Sequence, residues 1–306
     1  MVISTTGLVL LTLAYTDQFS FPLRTSEIYQ RLVARSCSQK KIFQILKKLA
    51  DKDLVFQQDG YWQLKSERAD FQLRLAREKL AQARWAEVDE LLKVVGWIPW
   101  IKGVVVTGSF AVKNAQPKSD IDFMIVTVPH RLWMSRLVVA LIVFVVGKRR
   151  TWHGDEDNSW CFNLWLDLKN LSLLANKQTI YSAYEVCQAK WVLDKDNLQY
   201  KFYQVNSWVE GFLPNYYHQK NLAKNLAKNN VKQHKPAFKW YSILRWLWSS
   251  LLALIDLLAY SLQLVYMYPH MTREKVSLGT AYFHPRNTRS MIYRRWYNSL
   301  LSLLSL

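Results

Sequence analysis

Two apolar runs, Val104-Val-Val-Thr-Gly-Ser-Phe110 and Ser119-Asp-Ile-Asp-Phe-Met-Ile-Val126, constrain this chain more than anything else in it. Both have the β-branched and aromatic content of buried strands. The first ends in a Gly-Ser turn, and the second opens with two aspartates spaced i, i+2. Side chains alternate across a strand, so Asp120 and Asp122 share one face while Ile121 and Phe123 share the other. Two carboxylates side by side at the head of an apolar strand repel each other and lose hydration. A divalent cation relieves both costs, and Mg²⁺ suits oxygen-rich sites that also hold phosphates. The spacing therefore predicts a phosphoryl-transfer site; the bland alternative is a hairpin whose aspartates are solvated edge residues.

These residues resemble the signature of the DNA polymerase beta-like nucleotidyltransferase superfamily, of the minimal nucleotidyltransferase type. That signature is an apolar residue, Gly, Gly or Ser, a spacer, then Asp-apolar-Asp, and Thr107-Gly108-Ser109 with Asp120-Ile121-Asp122 supplies each element. The resemblance implies an α/β (α+β) core with a mixed sheet. It also implies a nucleoside triphosphate held at Gly108 and Ser109, and Mg²⁺ or Mn²⁺ held by Asp120, Asp122 and a third carboxylate from a neighbouring strand. The implied reaction moves a nucleoside monophosphate, most simply AMP from ATP, to a hydroxyl acceptor and releases pyrophosphate. Elementary chemistry agrees: Gly108 lets backbone approach a phosphate closely, Ser109 offers a hydroxyl donor, and a helix starting there presents N–H groups.

The candidate for the third carboxylate is Asp167, in Trp160-Cys-Phe-Asn-Leu-Trp-Leu-Asp-Leu168. There Phe162, Leu164, Leu166 and Leu168 make one apolar face and place Asn163 and Asp167 together on the other. A solvent-facing strand end is the alternative for Asp167, and Asp155-Glu156-Asp157 in a polar loop is the competitor. Glu185 lies on a helix expected near Tyr181–Gln188, where it either supports the metal site from behind or serves as a surface or capping residue. Arg131 and Arg136, near the start of an apolar helix expected over Arg131–Val146, reach phosphates or form surface pairs. The run Leu137–Val146 is too short to span a bilayer and reads as a helix covering the sheet.

Four segments follow. Residues 1–65 read as helices near Gly7–Ala14, from Thr25 and from Ser38, then strands Leu54–Phe56 and Tyr61–Leu64 around a Gln-Gln-Asp-Gly turn. Three helices and a hairpin resemble a winged helix-turn-helix. Its third helix carries Lys40, Lys41, Lys47 and Lys48, as a helix that reads nucleic acid does, or as a solvated face of a docking module does. Residues 66–99 read as one long connecting helix, 100–175 as the catalytic core, and 176–306 as a basic, helical C-terminal region. The aromatics near Tyr203–Phe212 read as core.

Charge separates the last third from the rest. The net charge of +18 is concentrated in residues 206–306, where thirteen Lys or Arg face three Asp or Glu. Lys220, Lys224, Lys228, Lys232, Lys235 and Lys239 lie in a Lys/Asn-rich stretch read as an exposed linker. Such an excess favours polyanions, nucleic acid or a membrane surface. Trp246–Tyr268 is long enough to cross a bilayer but contains Asp256 and Gln263. It reads as a helix buried against the catalytic domain, with peripheral membrane contact as the alternative; His284 and Arg286 beyond it lie near the site or in a turn. Cys37, Cys161 and Cys187 form no disulfide or zinc pattern, and the N-terminus lacks the charged start of a secretory signal, so a reducing cytoplasmic setting is expected. A different class stays open: a nucleic-acid-binding regulator whose nucleotidyltransferase core has degenerated into a nucleotide sensor.

Overall fold

The computed structural model describes residues 3–65, 70–146, 159–225, 242–283 and 288–304. The chain begins with α1 (Thr5–Asp17), β1 (Leu23–Arg24), α2 (Thr25–Arg31), α3 (Gln39–Ala50), β2 (Val55–Gln58) and β3 (Tyr61–Leu64), with the strands in the order β1-β3-β2. Ser38 caps α3 by accepting the Lys41 N–H at 3.3 Å. At α2 the cap is Arg24, whose N–H donates to Glu27 Oε2 at 2.8 Å. The Thr25 hydroxyl accepts the Trp62 indole N–H at 3.0 Å. Asp59 and Gly60 both have positive φ in the turn joining β2 to β3, as a two-residue hairpin loop requires.

The expected connecting helix is two helices, α4 (Phe71–Ala83) and α5 (Ala86–Val95). Tertiary contacts of Arg84 set the break: its guanidinium donates to the Ser119 carbonyl at 2.7 Å, pairs with Glu87 and stacks on Phe110. Next come β4 (Ile101–Thr107), α6 (Gly108–Ala111), β5 (Ile121–Thr127), α7 (Leu132–Val145) and β6 (Trp160–Asp167). The rest is α8 (Ile180–Gln188), β7 (Lys190–Asp194), α9 (Leu198–Val205), α10 (Pro214–Asn225), α11 (Ser242–Met267), β8 (Lys275–Val276), β9 (Thr280–Tyr282) and α12 (Thr288–Leu304). The six-stranded sheet has the order β7-β4-β5-β6-β9-β8 and is mixed, with β5 and β6 parallel and the other pairs antiparallel. Strands β7, β8 and β9 fall within the part expected to be helical.

Alternation divides the sheet into two cores. Val105, Met124, Val126 and Leu166 pack with α8, α10 and the N-terminal module, whereas Val104, Val106, Phe123, Ile125 and Trp165 pack with α5, α7 and α11. Each fully buried side chain of this size contributes about 1.5–3 kcal/mol, so the two layers fix the strand order and faces. The N-terminal module is fastened to the first layer. Tyr15 stacks on Tyr184 with centroids 4.2 Å apart, the Tyr184 hydroxyl donates to the Arg31 carbonyl at 2.9 Å, and Asn215 donates to the Tyr29 carbonyl at 2.8 Å. The α3 lysines, by contrast, are all exposed. Tyr203 and Val209 are buried, in keeping with a core role for that aromatic segment.

Candidate active site

β4 ends at Thr107, directly opposite Asp122 on β5. The chain then turns at Gly108, whose φ is +63°. A Cβ there would stand 2.5 Å from Asp122 Oδ2, so glycine is required both by its conformation and by the carboxylate against its Cα. Ser109 follows, half-buried, and its carbonyl closes the turn by accepting the Asn114 N–H at 2.8 Å.

The head of β5 is stitched to β6. The Ile121 N–H donates to the Ser159 carbonyl, and both the N–H and the hydroxyl of Ser159 donate to Asp120 Oδ1, at 3.1 and 2.7 Å. Asn163 Nδ2 donates to Asp122 Oδ1. Gly108, Ser109, Asp120 and Asp122 are thus brought together at one end of the β4–β5–β6 layer.

Asp167 is not. In the parallel β5–β6 pair, Asp122 lies opposite Cys161 and Asp167 lies opposite Thr127. Five residues of strand separate the two levels, roughly 16 Å, and an odd step puts Thr127 on the other face of β5 from Asp122. Asp167 is buried and already occupied: its Oδ1 accepts the Lys169 N–H at 2.8 Å and Asn170 Nδ2 at 2.7 Å, and its own N–H donates to the Gly279 carbonyl at 2.9 Å. It locks the end of β6 to the β8–β9 hairpin. A bulge explains why alternation misplaced it. From Asp122 to Met124 β5 advances two residues while β6 advances three, from Cys161 to Leu164. Phe162 therefore packs with the α7 layer, while Leu164 and Leu168 pack with the α8 layer. The β6 residue facing Asp122 is Asn163, a carboxamide.

A carboxylate that does reach Asp122 comes from α8. Glu185 is half-buried, and its carboxyl is pushed up to about 7, by burial first and by the Asp122 charge second. The neighbouring Tyr181 phenol is raised by the Glu185 charge first, then by burial and by Asp122. The strand alternation that set Asp122 on the Met124–Val126 side was the available sequence signal, since α8 packs on that side.

Among the described residues no three His, Cys, Asp or Glu side chains converge into a ready metal cage. The Asp120–Asp122 pair nonetheless suits Mg²⁺, which commonly takes one or two carboxylates and fills its octahedron with water and substrate phosphate oxygens. Cations gather near the same end of β4. Lys190 lies opposite Val106, and its ammonium is lowered by burial first, then by Lys113 and Lys220. Lys220 is half-buried on α10 rather than in an exposed linker. Arg131 and Arg136 lie away from the site: Arg131 donates to Ser249, and Arg136 to Gln263, both on α11. Asp155, Glu156, Asp157, His284 and Arg286, and the lysines at 228–239, lie outside the described residues.

The family model of the nucleotidyltransferase domain matches residues 88–187, from α5 through α8. No curated protein sequence matches the chain. Among solved structures, a mutant of the toxin-antitoxin MntA-HpeT is similar at 14% identity, covering 48% of this chain and 95% of its own, with a TM-score of 0.25. The toxin-antitoxin with AMP-PNP is similar at 16% identity, covering 48% and 96%, with a TM-score of 0.24.

Proposed function

We propose that this chain transfers a nucleoside monophosphate, AMP from ATP in the simplest case, to a hydroxyl acceptor, a reading supported by the match of residues 88–187 to the nucleotidyltransferase domain. The acceptor oxygen forms a bond to the α-phosphorus, the α–β phosphoanhydride breaks, pyrophosphate leaves and the hydroxyl proton passes to a carboxylate or water. The observation that carries this reading is the pair Asp120 and Asp122 at the head of β5 with Gly108 pressed against the second carboxylate.

Asp120 and Asp122 would hold Mg²⁺ or Mn²⁺. When bound, the ion supplies charge neutralisation at the α-phosphate and acidifies the attacking hydroxyl. The protein's own part is positioning. Ser159 and Asn163 orient the two carboxylates by donating to one oxygen of each. Gly108 lets the triphosphate tail approach the backbone, and the Ser109 hydroxyl donates to it. Glu185 stands on the same face, its carboxyl pushed up by burial and by the Asp122 charge. The N-terminal module is proposed to be a winged helix, a reading supported by its order of three helices and three short strands.

A regulator with a degenerate core is the second reading. It is favoured by Asn163 standing where a third strand carboxylate is expected, and by the four exposed lysines of α3. Transfer of label from α-³²P-nucleotides with Mg²⁺ or Mn²⁺, to protein, RNA and small metabolites, decides between them. Label transferred by wild type and lost in Asp120→Asn/Asp122→Asn supports the enzyme. Nucleotide bound with no transfer to any acceptor class overturns it.

A further inference from the structure

α11 is 26 residues long, and its stretch Leu247–His270 has the length and hydropathy of a membrane-crossing helix, yet only 22% of its most apolar window is buried. The expected burial against the catalytic domain holds for one face alone. On that inner face Asp256 accepts the Met134 N–H at 2.8 Å, Gln263 donates to the Trp133 carbonyl at 2.9 Å, Tyr260 packs on Trp133 at 4.9 Å, and Ala259 and Met267 enter the core. These bonds fix the rotation of the helix, so the other face stays outward. There Leu251, Leu254, Leu258, Leu262 and Val265 recur at helical spacing, with Leu262 70% and Val265 75% exposed. Between Leu247 and Tyr268 the only charged residue is Asp256, which points inward. α7 adds exposed Leu141, Phe144 and Val145.

We propose that this outer face of α11 lies in the surface of an anionic lipid bilayer, parallel to the membrane plane. Three observations choose a bilayer over a protein partner. From Trp248 to Tyr268 the exposed face runs about 30 Å at 1.5 Å per residue with serines as its only polar members between those aromatic ends, whereas protein interfaces carry a polar, hydrogen-bonding rim. Aromatic side chains that sit well at the headgroup level mark both ends, Trp248 at one and Tyr266 and Tyr268 at the other, all exposed. Basic residues flank the stripe: exposed Arg273 and Lys275 follow α11, and the sequence from Lys220 to Arg245 has seven cations and no acid. That is the charge complement of an anionic surface. The inner face excludes a crossing orientation, because it belongs to the core of the catalytic domain.

The test is co-sedimentation of the full chain with vesicles of phosphatidylcholine alone or with about 30% phosphatidylserine, a composition that gives a strongly anionic surface. The expected result is pelleting with the anionic vesicles, weakened by salt and by alkaline carbonate. Leu254→Glu/Leu258→Glu should abolish pelleting with an unchanged melting temperature. In a Cys37→Ser background, a fluorophore at Leu262→Cys should shift to the blue with vesicles and one at Lys40→Cys should not, which keeps the test valid if the double variant fails to fold. Three outcomes overturn the proposal: a supernatant protein in every composition, a dimer in solution whose face is shielded from Leu262→Cys labelling, or a carbonate-resistant pellet indicating a spanning helix. None of these readouts depends on nucleotidyl transfer.

Discussion

The two ends of the β5–β6 pair hold aspartates of opposite character. At one end Asp167 is surrounded by donors, the Lys169 N–H and the Asn170 amide, in a buried turn closed by Gly279. At the other, Asp122 stands on the same face as Glu185, whose carboxyl is pushed up by burial first and by the Asp122 charge second. A chain selected for stability alone would have no reason to keep the second arrangement. The contrast teaches that like-charge crowding, rather than the presence of a carboxylate on a strand, is the feature that points to a candidate site.

The largest test of that contrast is chemical. Asp122→Asn keeps the shape and the Asn163 neighbour but removes the charge. Transfer of α-labelled nucleotide should fall by at least about 100-fold, since even outer-shell partners of a metal site are worth 10–100-fold, while the melting temperature holds or rises. A folded Asp122→Asn protein with unchanged transfer would remove the site from that end of the sheet.

Asp167→Ala should do the reverse. Leaving the Lys169 N–H and the Asn170 amide without their acceptor costs about 2 kcal/mol, read as a lower denaturant midpoint at unchanged slope, with transfer per folded molecule unaltered. Gly108→Ala comes next. Its positive φ costs an L-residue about 1–2 kcal/mol, and its methyl group must displace the Asp122 carboxylate. Transfer should drop about tenfold, the kinetic equivalent of 1.4 kcal/mol, mostly in kcat. Equal activity in this variant would show that the carboxylate position is not critical.

Much of this contrast was legible in the sequence, but not its third member. Alternation separates the Asp122–Met124–Val126 side of β5 from the Phe123–Ile125 side because a strand's pattern is local, and Ser38 and Asp59-Gly60 marked a helix start and a hairpin for the same reason. The bulge at Phe162–Asn163 is a property of a parallel pair brought together across α7 and a long connection. It inserts one residue, and every face downstream of it is reversed relative to simple alternation. The helix break at Arg84 was hidden likewise, since the Ser119 carbonyl that holds it is thirty-five positions away. The short strands β7 to β9 carry too few residues for a period to show. In α11 the apolar length was plain, but which face Asp256 and Gln263 commit to the protein depends on their partners on α7.

The smallest expected effect sharpens the comparison most. Glu185 in the folded, metal-free protein titrates near 7, above the ordinary carboxyl range, because burial and then Asp122 oppose its ionisation. A carboxyl raised in the folded state binds more protons folded than unfolded between the two values, so stability falls as pH rises through that window. The stabilising contribution is complete below the ordinary glutamate value of about 4.3 and gone above about 7. Glu185→Gln should abolish this slope and, at pH 7.5, raise the melting temperature by about 2 °C, the scale of a gain of about 1 kcal/mol in a chain of this size. If thermal melts at pH 5 and pH 7.5 move in parallel for wild type and Glu185→Gln, the crowding at the Asp122 end is not real, and the asymmetry between the two ends loses its electrostatic basis.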